Sequence, residues 1–209
     1  MKLYCISHNY NYELEKLLTL FFPFEKIPVL YCADGDTGDR LVTSLEKDGE
    51  TTTAEAVLYF NFSVSSCRRN TAGADDEELQ LSLAAFSLLT EALGFTPQWG
   101  ILTGIRPSKL MMLKRDELGE EAAAEYFRSV FRVSPKKTAL ALSVAKAEEN
   151  IIAKCEENSF SLYVSIPFCP TRCSYCSFVS HSISSETARR LIPEYVERLC
   201  DEISLLGKK

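Results

Sequence analysis

Tyr163-Val164-Ser165-Ile166-Pro167-Phe168-Cys169-Pro170-Thr171-Arg172-Cys173-Ser174-Tyr175-Cys176-Ser177-Phe178 is the stretch on which the reading of this 209-residue chain turns. Three cysteines stand at the spacing C-x3-C-x2-C, directly after a short apolar run. Phe160 to Ile166 has the aromatic and β-branched composition of a strand buried on both faces, and Pro167 ends it. A polar stretch from Ser180 to Thr187 leads into a predicted helix over 188–206. Tyr195, Leu199, Ile203 and Leu206 form its apolar stripe, Glu194, Glu197, Arg198, Asp201 and Glu202 lie outside, and Gly207 stops it. A strand, a loop carrying chemistry and a helix make the first unit of a parallel β/α barrel, with the site at the carboxyl end of the strand.

Four readings compete for Cys169, Cys173 and Cys176. A zinc site wants a fourth Cys or His, and His181, five residues past Cys176, is the available candidate. Cys173-Ser174-Tyr175-Cys176 has the form of a C-x-x-C redox pair, which normally opens a helix and needs no third cysteine upstream. A chance grouping of buried thiols is the third reading. The fourth is an iron–sulfur cubane held by three thiolates. Electron-carrying clusters are usually closed by four cysteines, so three would leave one iron open to a small molecule.

The rest of the composition narrows the setting. A net charge of -6 and a pI near 5.1 argue against nucleic-acid binding, which needs a basic footprint. No run of about 18 apolar residues and no secretory leader is evident, so neither a membrane span nor export is indicated, and the expected location is cytoplasmic. The five remaining cysteines (Cys5, Cys32, Cys67, Cys155 and Cys200) are scattered and read as reduced thiols of a reducing compartment.

Upstream, the pattern predicts a small α+β domain over residues 1–95. Leu3 to Ser7 reads as a strand, and Tyr12 to Phe22 as a helix with Leu14, Leu17, Leu18 and Phe21 on one stripe. The acidic turn from Asp34 to Asp39 misses the EF-hand pattern, because Gly38 takes an oxygen-ligand position, and it reads as a solvated turn. Two strands, Leu41–Lys47 and Thr51–Phe62, join across Asp48-Gly49 as a hairpin. Ser65 to Ala74 reads as a polar loop. Asp75 or Asp76 caps a long helix carrying Leu79, Leu83, Phe86, Leu89 and Leu93, ended by Gly94.

Residues 96–158 read as a helical connector. Leu102-Thr103-Gly104-Ile105-Arg106-Pro107-Ser108-Lys109-Leu110 follows Trp99-Gly100 and enters a helix at Pro107. Its bases, with Lys114 and Arg115, offer an anion site or simply a solvated helix start. Further helices are expected over 119–131 and 135–156. The second is capped by Ser134, with a buried stripe of Leu140, Val144, Ala147 and Ile151. The expected class is therefore α/β and α+β: the α+β domain, the connector, and over 159–209 the start of a barrel.

The cysteine loop, with Tyr175 just before its last cysteine, resembles the signature of the radical S-adenosylmethionine (SAM) enzymes. The resemblance implies that Cys169, Cys173 and Cys176 bind a 4Fe-4S cluster whose open iron takes the methionine moiety of SAM. Reductive cleavage would then yield a 5′-deoxyadenosyl radical that abstracts hydrogen from the substrate. Tyr163 to Cys169 is similar to the entry of the oxygen-independent coproporphyrinogen III oxidase superfamily, in which residues at the places of Tyr163 and Tyr175 contact SAM. The 102–110 segment is similar to the HemZ-type coproporphyrinogen dehydrogenases. The resemblance implies a tetrapyrrole substrate, an electron donor such as a flavodoxin or ferredoxin, and oxidative decarboxylation in haem biosynthesis.

Two positions depart from the superfamily. Ser165 stands where histidine is common, and Phe178 stands where the established decarboxylases carry a fourth cysteine. That second lack also marks relatives that bind or deliver haem. A radical SAM core is built of about six β/α units of roughly 30 residues or more each. One such unit alone is expected neither to turn over SAM nor to retain a stable cluster.

Overall fold

The computed structural model describes residues 1–32, 37–49, 51–104, 106–171, 173 and 176–207, with only the backbone described at Asp75. Two compact units result, Met1–Lys154 and Cys155–Lys209. Half of the expected acidic turn, residues 34–36, lies outside the described residues, as does Tyr175.

The first unit carries a five-stranded mixed sheet in the order β2-β1-β3-β4-β5. Strand β1 (Lys2–Ile6) is parallel to both β2 (Val29–Leu30) and β3 (Arg40–Asp48). Strands β3, β4 (Thr51–Phe60) and β5 (Ser63–Thr71) form an antiparallel meander, with Asp48 paired to Thr51 across the expected hairpin. Residues of one pleat face alternate into the core: Leu3 and Cys5, Leu41 and Leu45, then Ala54, Ala56 and Leu58. Against them pack α1 (Asn11–Phe21), through Leu14, Leu17 and Leu18, and α2 (Glu77–Leu93), through Leu81, Ala85 and Leu89. Gly94 closes α2 in the left-handed conformation, φ 62°.

Two local readings are corrected here. Ser63–Thr71 is a strand rather than a polar loop, because Asn61 and Phe62 make the turn with φ 49° and 63° and fold it back on β4. Its polar side chains are those of a solvated edge strand, and Arg68 pairs with Glu55 across the ladder at 2.6 Å. Asp76 occupies the cap position of α2 without capping the helix N–H groups. Its carboxylate accepts instead from the Ala72 amide and the Gln80 side chain, at 3.0 Å each.

Helices α3 (Pro107–Leu118), α4 (Glu120–Ser129) and α5 (Pro135–Ile152) surround a second apolar cluster of Met111, Ala123, Phe127, Val133, Ala141 and Ala145. Ser134 caps α5, accepting from the Lys137 amide. The expected buried stripe is shifted by one position. Thr138, Ala141 and Ala145 face the cluster, while Leu140, Val144, Ala147 and Ile151 are exposed. The small side chains allow α5 to approach Met111 and Phe127 closely, so packing shape overrides hydrophobic size. A 2.5 Å Arg115–Glu149 pair and a 2.6 Å Lys146–Glu120 pair lace the outer faces.

In the second unit the strand expected over Phe160–Ile166 does not form. Phe160 and Tyr163 are 86% and 79% exposed, the opposite of a strand covered on both faces. Among the described residues no neighbour pairs with this backbone, and an unpartnered strand gains neither ladder bonds nor cross-strand packing. Pairing occurs instead at β6 (Phe168–Cys169), which runs parallel to β7 (His181–Ser182). The polar stretch then enters α6 (Glu186–Leu206), where the helix is expected, although Ala188 is its sole fully buried residue among those described. Among the described residues, no helix is long and apolar enough to cross a membrane.

Candidate metal centre

The root of the cysteine loop is fixed by backbone pairing. Phe168 aligns with His181 and Cys169 with Ser182. The His181 amide donates to the Pro167 carbonyl at 2.7 Å, and the Ile183 amide to the Cys169 carbonyl at 3.0 Å. Side chains tighten this root. Phe168 meets Tyr195 of α6 edge-on at 5.3 Å and lies tilted against the His181 ring at 6.0 Å. The Tyr195 hydroxyl donates to the Ser165 carbonyl, tethering the segment before the first cysteine to the helix after the loop.

Beyond Cys169 the restraints thin out. The Cys176 amide donates to the Cys173 carbonyl at 3.1 Å, closing a turn between the second and third cysteines. The Cys176 Sγ lies 3.8 Å from the Phe178 carbonyl and 4.0 Å from the Ser180 hydroxyl, weak contacts suited to a thiol. Cys169 and Cys176 are half-buried, and Cys173 is exposed. The three cysteines of the loop are free thiols.

The donor set suits an iron–sulfur cluster chemically: three free thiols on one accessible loop. The arrangement does not bring them together. Among the described residues no three Cys, His, Asp or Glu side chains lie close enough to hold a metal ion. Cys169 belongs to the β6–β7 pairing, whereas the described backbone bond of Cys176 is to Cys173.

Of the other predicted residues, Tyr163 projects into solvent at the rim of a shallow depression shared with Ser165, Tyr195 and Arg198. Phe178 is 72% exposed. His181 acts in this structure as a bridge partner through its backbone. The residue that sequence reasoning did not assign to the site is Tyr195. It appears in the periodicity only as one member of the α6 stripe, and its hydroxyl is the signal that sets it apart from Leu199 and Ile203.

No protein-family profile matches the chain, and no solved structure matches it. Over 112 residues, 52% of this chain, it is 31% identical to the oxygen-independent coproporphyrinogen-III oxidase-like protein HemZ of Bacillus subtilis (strain 168), of which it covers 22%. The chain thus spans about a fifth of that relative's length. This partial and distant similarity relates it to the HemZ-like proteins.

Proposed function

We propose that this chain carries the cluster-binding end of a radical SAM oxidoreductase, with Cys169, Cys173 and Cys176 as ligands of a 4Fe-4S cluster. The observation that carries the reading is the set of three free thiols at C-x3-C-x2-C spacing on a loop rooted by the β6–β7 pairing. The similarity to HemZ supports it. When bound, the cluster supplies the electron that cleaves SAM. The chain's own residues supply position: the pairing fixes Cys169, Tyr195 holds the segment that precedes it, and Tyr163 and Tyr175 are the residues assigned to contact SAM. Residues 159–209 are then the start of the radical SAM domain. The reaction we assign is oxidative decarboxylation of coproporphyrinogen III to protoporphyrinogen IX in the cytoplasm, with a flavodoxin or ferredoxin as electron donor.

One observation favours a second reading. Phe178 stands two residues beyond Cys176, where the resemblance expects a fourth cysteine, and its ring is exposed. A tetrapyrrole-binding or delivery protein of the same superfamily would carry the cluster without performing the decarboxylation.

The test uses the protein as encoded by its gene, reconstituted anaerobically with iron and sulfide, beside its Cys169→Ala variant. The proposal expects about four irons per chain, deoxyadenosine released from SAM, and conversion of coproporphyrinogen, all lost in the variant. A cluster with bound but unconverted tetrapyrrole selects the second reading. Stoichiometric zinc with no iron–sulfur absorption sinks both.

A further inference from the structure

Away from the cysteine loop, the first unit holds a crevice of about 470 Å³ walled by α1, α2, residues 101–104, Leu110 of α3 and Phe131. Two carboxylates enter it, Glu13 from α1 and the exposed Glu78 from α2, and among the described residues no Lys or Arg lines it. The nearby Lys16 lies over the Tyr12 ring at 5.2 Å. Neither carboxylate has an ion-pair or hydrogen-bond partner among the described residues. Burial, and then the charge of Glu13, push the Glu78 carboxyl above its ordinary value, the response of two like charges sharing a partly desolvated space.

A second observation concerns Ser82, which lines the same crevice and is only 7% exposed. Helical serines commonly turn their hydroxyl back to the preceding turn, as Ser87 of α2 does to the Leu83 carbonyl at 2.8 Å. Ser82 makes no such bond, and among the described residues its hydroxyl has no partner. Because Ser82 lines the crevice, that hydroxyl is available to a group that enters it. Apolar and aromatic surfaces complete the walls, with Tyr12 at the mouth and Ile101, Leu110 and Phe131 inside.

We propose that this crevice binds an alkylammonium or alkylguanidinium group, with Glu13 and Glu78 accepting from the cationic head and Ser82 completing its hydrogen bonds. The aliphatic stem lies along Ile101 and Leu110, and the Tyr12 and Phe131 rings add favourable cation–π surface. The site also gives a role to the 101–104 segment, which the cysteine chemistry does not use. The same chemistry can arrive as a free amine or as a Lys or Arg side chain of a partner.

The test is an NMR titration of the whole chain, following the side-chain carboxyl carbons of Glu13 and Glu78. The probes are n-butylammonium chloride, n-butylguanidinium chloride and the peptide acetyl-Gly-Lys-Gly-amide, with butanol and sodium chloride as controls. The expected result is saturable binding in about the millimolar range, with the Glu78 carboxyl titrating lower once the site is filled. Glu13→Gln and Glu78→Gln should each weaken it about tenfold, and Ser82→Ala about threefold. Tighter binding of the free cations identifies a small-molecule site, and tighter binding of the peptide a protein partner. The proposal is overturned if no probe saturates by about 50 mM, if butanol binds as well as butylammonium, or if the Gln variants bind unchanged.

Discussion

Replacing Gly100 by alanine tests how residues 97–102 are joined to the α4–α5 connection. Gly100 has φ +59°, and a Cβ there would lie 1.9 Å from the Phe131 carbonyl oxygen, 2.5 Å from the Arg132 carbonyl carbon and 2.7 Å from its oxygen. These are backbone atoms, which cannot swing aside as a side-chain tip can. Separation would break the Ile101 amide bond to the Phe131 carbonyl (3.0 Å) and strain that of the Ser134 amide to the Gln98 carbonyl (2.9 Å). Gly94 and Gly104 are internal controls, with φ +62° and +65° and nothing within 4 Å of an added Cβ. There the cost is the left-handed conformation alone, about 1 kcal/mol net of the unfolded-state gain. Gly100→Ala adds about 1 kcal/mol for each of the two hydrogen bonds and about 1–2 kcal/mol for loosening Trp99 and Phe131 from the Phe127 cluster. The expected total is about 4–5 kcal/mol. Urea unfolding followed by circular dichroism and by the fluorescence of Trp99, the chain's one tryptophan, measures it. Equal midpoint shifts for the Gly100, Gly94 and Gly104 variants would refute the close-approach argument.

Two further outcomes follow from the hydrogen-bond geometry. His8 Nδ1 accepts the Tyr10 amide (3.2 Å), so its proton sits on Nε2 and is donated to the Thr43 hydroxyl (3.0 Å), which in turn donates to the Tyr4 carbonyl. Burial holds the imidazole below its ordinary value of 6.5, outweighing the Thr43 carbonyl and the charge of Glu77. Glu77 itself accepts from the Tyr10 hydroxyl and lies 3.7 Å from Lys47. The unfolded chain therefore binds the extra proton first, and stability is present above pH 6.5 and falls as the pH drops below it. Thermal melts between about pH 5 and pH 8 should show this slope, and His8→Gln should flatten it; an unchanged slope would reject His8 as the source. Tyr195→Phe keeps the edge-on contact with Phe168 and removes the hydroxyl bond to Ser165, at a cost of about 1 kcal/mol or less. Amide exchange around residues 165–168 should quicken while the helix content of α6 stays constant; unaltered exchange would show that this tether does not hold the loop root.

Periodicity and turn chemistry were enough to place most of the α+β region. The strand β1, the Asp48-Gly49 hairpin, the α1 stripe and the Gly94 stop are local features, decided by residues within a turn or two of each other. The C-x3-C-x2-C spacing is equally local, which is why the candidate ligands could be named without a structure. What escaped depended on partners distant in the chain. Ser63–Thr71 became a strand because β4 offered it an edge, despite a sequence that looks like a loop. The α5 face was chosen by the space beside Met111 and Phe127, so alanines turned inward and Leu140 outward. Phe160–Ile166 has every local mark of a strand and remains unpaired, since β propensity is realised only against a neighbour. Likewise the meeting of Glu13, Glu78 and Ser82, and the tether from Tyr195 to Ser165, join residues about 30 or more positions apart in most cases. The sequence by itself therefore supplied the candidate ligands, three cysteines at C-x3-C-x2-C spacing. Tertiary structure decided that Cys169 is held by strand pairing while Cys173 and Cys176 belong to a separate turn, because ladder bonds fix only the backbone they include.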